Sequence, residues 1–251
     1  MRNPRVLVVE HHAECPPALL GEWLAEAGCE LELCRPWAGD ALPEVTAYDG
    51  LLVLGGEMGA NDDDRHWWLT PVKELVRAAG EAGVPTLGIC LGHQLMAVAL
   101  GGRVARNPAG QTIGLQTVGW QEAASRDALA GSLGATARGV HWNSDVVTEL
   151  PPGAKVLART EDGAPQVVRY AERAWGLQLH PEADEHVVGR WADGDRADHL
   201  ARGIDSGEAL AEIAAARDEL AATWQPLARS FAAIAAIAAG TRAREASCSR
   251  P

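Results

Sequence analysis

An α/β fold is expected from the sequence: a three-layer sandwich in which helices cover both faces of a mainly parallel sheet. Three observations carry this expectation. Wholly apolar runs such as Val6-Leu7-Val8-Val9 and Leu51-Leu52-Val53-Leu54 mark strands buried on both faces. Amphipathic stretches at helical spacing alternate with them. The chain of 251 residues is 47% hydrophobic and 22% charged. A chain of that size buries roughly three quarters of its unfolded surface, enough for a core without disulfides or metal.

Taken in order, Arg5 to Val9 reads as a buried first strand. Pro17 to Ala27 follows as a helix with Leu19, Leu20, Trp23, Leu24 and Ala27 on one face, stopped by Gly28. Glu30 to Cys34 and Tyr48 to Leu54 are the second and third strands, the latter closing on Gly55-Gly56. A helix from Leu69 to Ala82 ends at Gly83, Pro85 to Ile89 is a fourth strand, and Leu91 to Leu100 is a helix ended by Gly101-Gly102. Shorter strands with tight turns follow: Gly114 to Gln121, Lys155 to Thr160 and Val167 to Tyr170. Trp175 to Leu179 then returns to the sheet.

Beyond Pro181 the pattern is helical. Asp205-Ser-Gly-Glu208 has capping-box spacing, and a stripe runs from Leu210 to Ile234 with Pro226 as a kink or break. The stripe can pack on its own domain or on a second copy in a homodimer, and self-packing is the favoured expectation. Thr241 to Pro251 is polar and expected to fray. The fold expected is flavodoxin-like, with a catalytic domain over 1–190 and a helical C-terminal extension and tail over 191–251.

Composition narrows the function. Twenty-two Lys and Arg against 34 Asp and Glu give a net charge of −12, which repels phosphate backbones and anionic lipid. Neither nucleic acid nor a membrane is an expected partner; a small-molecule substrate is. The five cysteines, an odd number without paired CxxC spacing, point to free thiols in a reducing, cytoplasmic setting. No signal peptide or transmembrane segment is visible, the apolar run Phe231 to Gly240 being about half a membrane span.

The sharpest chemical feature is Val84-Pro-Thr-Leu-Gly-Ile-Cys-Leu-Gly-His-Gln94. A strand feeds Gly88-x-Cys90-x-Gly92 and a helix opens at once, the pattern of a nucleophile elbow with Cys in place of Ser. Such a turn lifts the Cys90 thiol above the carboxyl end of a strand, and the helix N-terminus beneath favours thiolate. A thiol nucleophile needs a base, and the base an orienting partner. Leu177-Gln-Leu-His-Pro-Glu182 supplies His180 and Glu182 at the end of another apolar strand. A developing oxyanion needs donors, for which the Leu91 amide after the nucleophile and the Gly55-Gly56 turn are placed.

These motifs resemble those of class I (triad) glutamine amidotransferases. Gly-Ile-Cys-Leu-Gly-His-Gln at 88–94 and His-Pro-Glu at 180–182 look like the family's two signatures, and the resemblance covers about residues 5–190. The segments Leu54 to Asp62 and Asn107 to Gly114 are similar to GMP synthase-like, stand-alone glutaminase-type members. The resemblance implies that Cys90 attacks the side-chain amide of glutamine and forms a γ-glutamyl thioester. His180 would serve as base and acid, Glu182 would orient it, and the Gly56 and Leu91 amides would hold the oxyanion. Gln94 would touch the substrate side chain, and Asn143, Ser144 and Asp145 its amino-acid end. Relatives commonly read His-Gly-Asp there, so this chain departs at Asn143 and Ser144.

No metal or cofactor is expected. Glu10-His11-His12 reads as a turn or surface feature, Asn61-Asp-Asp-Asp-Arg65 as a solvated helix-start loop and His186 as solvated. Cys90-x-x-His93 lacks the second pair that zinc requires. Trp67-Trp68 can cover a core edge or a partner. No P-loop and no ammonia-using domain is visible, so the ammonia would pass to a separate synthetase. The rivals are a γ-glutamyl amide or peptide hydrolase with the same three residues and a non-catalytic binding or regulatory protein.

Overall fold

In the computed structural model, which describes residues 2–134 and 137–248, the apolar runs become adjacent strands of one sheet. Strands β1 (Arg5–Val9), β2 (Glu30–Cys34), β3 (Gly50–Val53) and β4 (Thr86–Ile89) lie parallel. Helices α1 (Ala18–Glu26), α2 (Leu69–Glu81) and α3 (Leu91–Ala99) connect or follow them. Alternation along β1 fills both faces. Val6 and Val8 pack with Leu20 and Leu24 of α1, while Leu7 and Val9 pack with Val72 and Val76 of α2 and Leu95 of α3. The expected α/β class and three-layer arrangement are therefore observed.

The middle of the chain supplies β5 (Arg103–Arg106), β6 (Thr112–Thr117), β7 (Gly119–Trp120), β8 (Arg138–Asn143) and β9 (Asp145–Glu149). Next come β10 (Lys155–Arg159), β11 (Pro165–Ala171) and β12 (Ala174–Leu177). The main sheet has eight strands in the order β2-β1-β3-β4-β12-β11-β10-β7. β12 pairs parallel with β4, whereas β11, β10 and β7 add antiparallel at that end. Two small antiparallel ladders, β5 with β9 and β6 with β8, stand apart from it. The single strand expected over Gly114 to Gln121 is thus two, β6 and β7, which join different sheets. β5, β8 and β9 mix polar and apolar residues, carry no continuous apolar run and escape a reading by periodicity.

Three helices complete the chain: α4 (Glu185–Arg202), α5 (Ser206–Ala215) and α6 (Arg217–Cys248). The Asp184 and Asp205 carboxylates cap α4 and α5 by accepting from amides two and three residues ahead. The stripe from Leu210 to Ile234 is divided between α5 and α6 at Ala216, and α6 passes through Pro226 without ending. Burial offsets what the proline costs: Trp224, Leu227, Ala228 and Phe231 sit in the same core as α1 and β1. The Trp224 indole donates to the Arg138 carbonyl at 2.9 Å, and the Arg138 side chain pairs with Glu212 and Glu219. The stripe thus packs on its own chain. α6 continues to Cys248 where a frayed tail was expected, and 249–251 lie outside the described residues.

If α6 belongs to the core, Phe231→Ala costs about 3–5 kcal/mol of unfolding free energy. A denaturant titration showing one cooperative transition at a lower midpoint checks this. A separate early transition would mean that α6 is an independent unit.

Candidate active site

The site is built where β4 hands over to α3. Cys90 holds φ 49 and ψ −105, a conformation that non-glycine residues rarely adopt. Its amide is anchored to the Leu177 carbonyl of β12 at 2.7 Å, and the Gly92 amide to the Leu54 carbonyl at 3.1 Å. Side chains are excluded around the turn by close backbone approach. A Cβ on Gly92 would lie 2.0 Å from the Val53 carbonyl oxygen, and one on Gly88 would lie 2.7 Å from the Gly92 carbonyl carbon. The elbow expected from the Gly-x-Cys-x-Gly spacing is therefore a wedge between β3 and β12, and tertiary packing holds its strain.

His180 and Glu182 follow β12, the strand beside β4. His180 Nδ1 hydrogen-bonds Glu182 Oε1 at 2.7 Å, and both side chains are buried. His180 Nε2 is buried and makes no hydrogen bond. The ring lies beside Cys90 across Gly55, where an added Cβ would meet His180 Cε1 at 3.3 Å and Cys90 Cβ at 3.7 Å. Burial opposes a charged imidazole, but the Cys90 thiolate and the Glu182 carboxylate outweigh it. They push the His180 pKa up to about 10. His180 thus favours the imidazolium form beside Cys90.

The other residues expected at the site fall into place around this pair. Leu91 is the first residue of α3, so its amide has no carbonyl one turn back within the helix. Gly56 packs under the Leu91 side chain, and an added Cβ would lie 2.6 Å from Met58 Sδ and 2.9 Å from Leu91 Cδ2. Gln94 donates to the Asp145 carbonyl at 3.1 Å and to Gln178 Oε1 at 3.2 Å. Asn143 Nδ2 also donates to the Asp145 carbonyl at 3.1 Å, and the Ser144 carbonyl accepts from the Asn107 amide at 2.9 Å. Cys90, His180, Gln94, Gly56, Asn143, Ser144 and Asp145 all line one cleft of about 790 Å³.

Several residues at or beside the cleft carried no role in the sequence reading. Gln178 Nε2 lies 3.6 Å from Cys90 Sγ, and the period-two alternation that places Gln178 two residues before His180 was a legible signal. Cys15, Trp142, Trp191 and Asp195 arrive from distant segments and had no signal in spacing.

The clusters read as bystanders behave differently from one another. His11 is buried, its Nδ1 accepting from the Trp68 indole at 3.2 Å, so Trp68 covers a core edge while Trp67 is exposed. That corrects the turn-or-surface reading for His11, while His12 lines the cleft. His93 points away from Cys90 and packs on Tyr170, whose hydroxyl lies 3.0 Å from His93 Nδ1. Asp62 accepts from the Gly59 amide, and Asp63 accepts from Lys73 and Thr70. His186 is exposed beside Glu185. No cluster of metal-ligating side chains occurs among the described residues, and no helix among them is long and apolar enough to cross a membrane.

Comparison with known proteins places the chain in a family. The profile of the family Glutamine amidotransferase class-I matches residues 19–190. The glutamine amidotransferase-like protein YfeJ of Salmonella typhimurium is 31% identical over 185 residues, spanning 72% of this chain and 76% of the relative. A subunit of the glutamine-hydrolysing GMP synthase of Natronomonas pharaonis is 34% identical over 186 residues, spanning 74% of this chain and 91% of the relative. A glutamine amidotransferase structure from Thermotoga maritima superposes with a TM-score of 0.83 over 92% of this chain and 99% of that one. Its 24% identity speaks for the fold alone. The chain belongs to the class I glutamine amidotransferase family.

Burial holds His11 and His93 at about 3 and His141 at about 4, below the ordinary 6.5. The unfolded chain therefore binds more protons below pH 6.5, and stability falls as pH drops from 6.5 towards 3. His180 acts oppositely: its contribution is complete below 6.5 and is lost as pH rises through about 10. Unfolding free energies measured between these limits should peak near pH 6.5 and fall on both sides. His11→Asn should flatten the acid limb.

Proposed function

We propose that the chain is a glutaminase-type amide hydrolase working through Cys90, His180 and Glu182. The observation that carries this reading is the strained Cys90 elbow set beside a buried His180–Glu182 pair. The Cys90 thiolate attacks the side-chain amide carbon, and the oxygen that gains charge is held by the Gly56 and Leu91 amides. The His180 imidazolium gives its proton to the departing nitrogen, the C–N bond breaks, and ammonia leaves a γ-glutamyl thioester. Water, losing a proton to neutral His180, attacks the thioester; glutamate leaves and the Cys90–His180 pair is restored. Glu182 keeps the Nδ1 proton and the ring orientation throughout.

Gln94 and the 143–145 segment bind the glutamyl moiety in this reading. Residues 1–190 carry the chemistry, with the helices over 191–248 packed on them. Ammonia is used by an acceptor on a separate synthetase chain, a division of labour supported by the Natronomonas relative, which is itself one subunit of a GMP synthase.

One observation favours a second reading. The cleft, about 790 Å³ and walled on one side by Trp142 and Trp191, is of the size that takes drug-sized ligands. A γ-glutamyl amide or peptide with a larger leaving amine fits it as well as glutamine.

Purified chain is assayed for ammonia and glutamate release from glutamine and for amine release from γ-glutamyl amides. Cys90→Ala should abolish turnover of the true substrate, and Glu182→Gln should lower kcat about 100- to 10,000-fold. Faster turnover of γ-glutamyl amides would select the hydrolase. Glutamine turnover only when a synthetase is added would select the two-chain synthase. If no compound is turned over and a glutamine-like electrophile fails to label Cys90, the protein is a non-catalytic binder.

A further inference from the structure

The His180 imidazole has a neighbour that the proposed chemistry does not use. The indole of Trp191, on α4, lies with its centroid 4.6 Å from that of the imidazole, the planes inclined at 54°. The indole is itself fixed. Its Nε1–H donates to the Glu14 carbonyl at 2.7 Å, tying α4 to the loop after β1. Trp142 packs at 6.4 Å and is held by its own indole N–H, which donates to Asp195 one turn further along α4, at 2.8 Å. The Asp184 cap sets where α4 begins, and so where Trp191 points.

We infer that Trp191 is a positioning residue for His180: it fixes the plane of the imidazole so that Nε2 stays turned to Cys90, and its π face supports the charged ring. The inference rests on the proposed role of His180 in proton transfer. The Glu182 bond holds Nδ1 at one edge of the ring and tolerates small swings about Cβ–Cγ that keep it within hydrogen-bond reach. A rigid aromatic wall against the ring limits those swings. An indole is the strongest side-chain partner for a cation above its ring, within about 6 Å. Other groups around His180 leave this role open. Glu182 and Cys90 are its ionic partners. His141 is kept neutral at neutral pH by burial, and burial likewise raises the Cys15 thiol. Trp191 lies one residue past the stretch that matches the family profile.

The test uses the full chain with Trp191→Ala and Trp191→Phe. The readouts are the His180 titration by NMR, the rate of Cys90 alkylation by iodoacetamide at neutral pH, and kcat and KM on the substrate identified above. Trp191→Ala should lower the His180 titration midpoint, slow alkylation about tenfold and lower kcat about tenfold with little change in KM. Trp191→Phe, which keeps a ring and loses the N–H, should recover most of each. The inference is overturned if Trp191→Ala, folded by circular dichroism, leaves His180 titration and alkylation as in the native chain. It is also overturned if Phe and Ala behave alike. His180→Asn separates the two levels. If alkylation ignores that change as well, the proposed catalytic pair falls and Trp191 with it. If alkylation depends on His180 and not on Trp191, only the positioning role is lost.

Discussion

The Cys90 turn meets the carbonyls of both neighbouring strands, and every other feature of the site is arranged around that meeting. β4 lies between β3 and β12, so the turn after it is gripped from both sides: the Gly92 amide by Leu54 and the Cys90 amide by Leu177. A positive φ at a cysteine carries an energetic cost, and two backbone hydrogen bonds to fully buried strands can hold it where a loop could not. The grip explains why glycine flanks the thiol. At Gly92 there is no room between the helix and the Val53 carbonyl for even one carbon.

The same strand order sets the second half of the site. Because β12 pairs parallel with β4, the residues after β12 emerge beside the residue after β4, and His180 reaches the thiol without a long loop. Burial then acts on charge. A lone buried imidazole is driven neutral, as at His11 and His93, whereas His180 stays charged because the Cys90 thiolate and Glu182 lie against it. The contrast among these histidines comes from their neighbours, since residue type and burial are alike.

The cleft takes its shape from parts of the chain remote from the signature motifs. The small β6–β8 ladder carries Trp142, α4 carries Trp191 and Asp195, and Gln111 accepts from Arg202 and lies by His199. α5 lies over β6 and α6 over α1, so the C-terminal helices brace this wall and share its core. The part of this wall carried by α4 is thus built from a segment whose sequence shows only helical periodicity and caps.

Residue order alone was enough to read the parallel half of the sheet, its helices, the elbow and the candidate Cys90–His180–Glu182 set. Wholly apolar strand runs, glycine stops and fixed motif spacing are local signals, and local signals survive in one dimension. The split of 114–121 into two strands of different sheets was not legible, nor were β5, β8 and β9, because short strands of mixed polar and apolar residues carry no decisive periodicity. The burial of His11 and the packing of Trp191 on His180 were settled in three dimensions. Each depends on a partner far along the chain, Trp68 at 57 residues in one case and Glu14 at 177 in the other, and spacing along the chain does not encode such proximity.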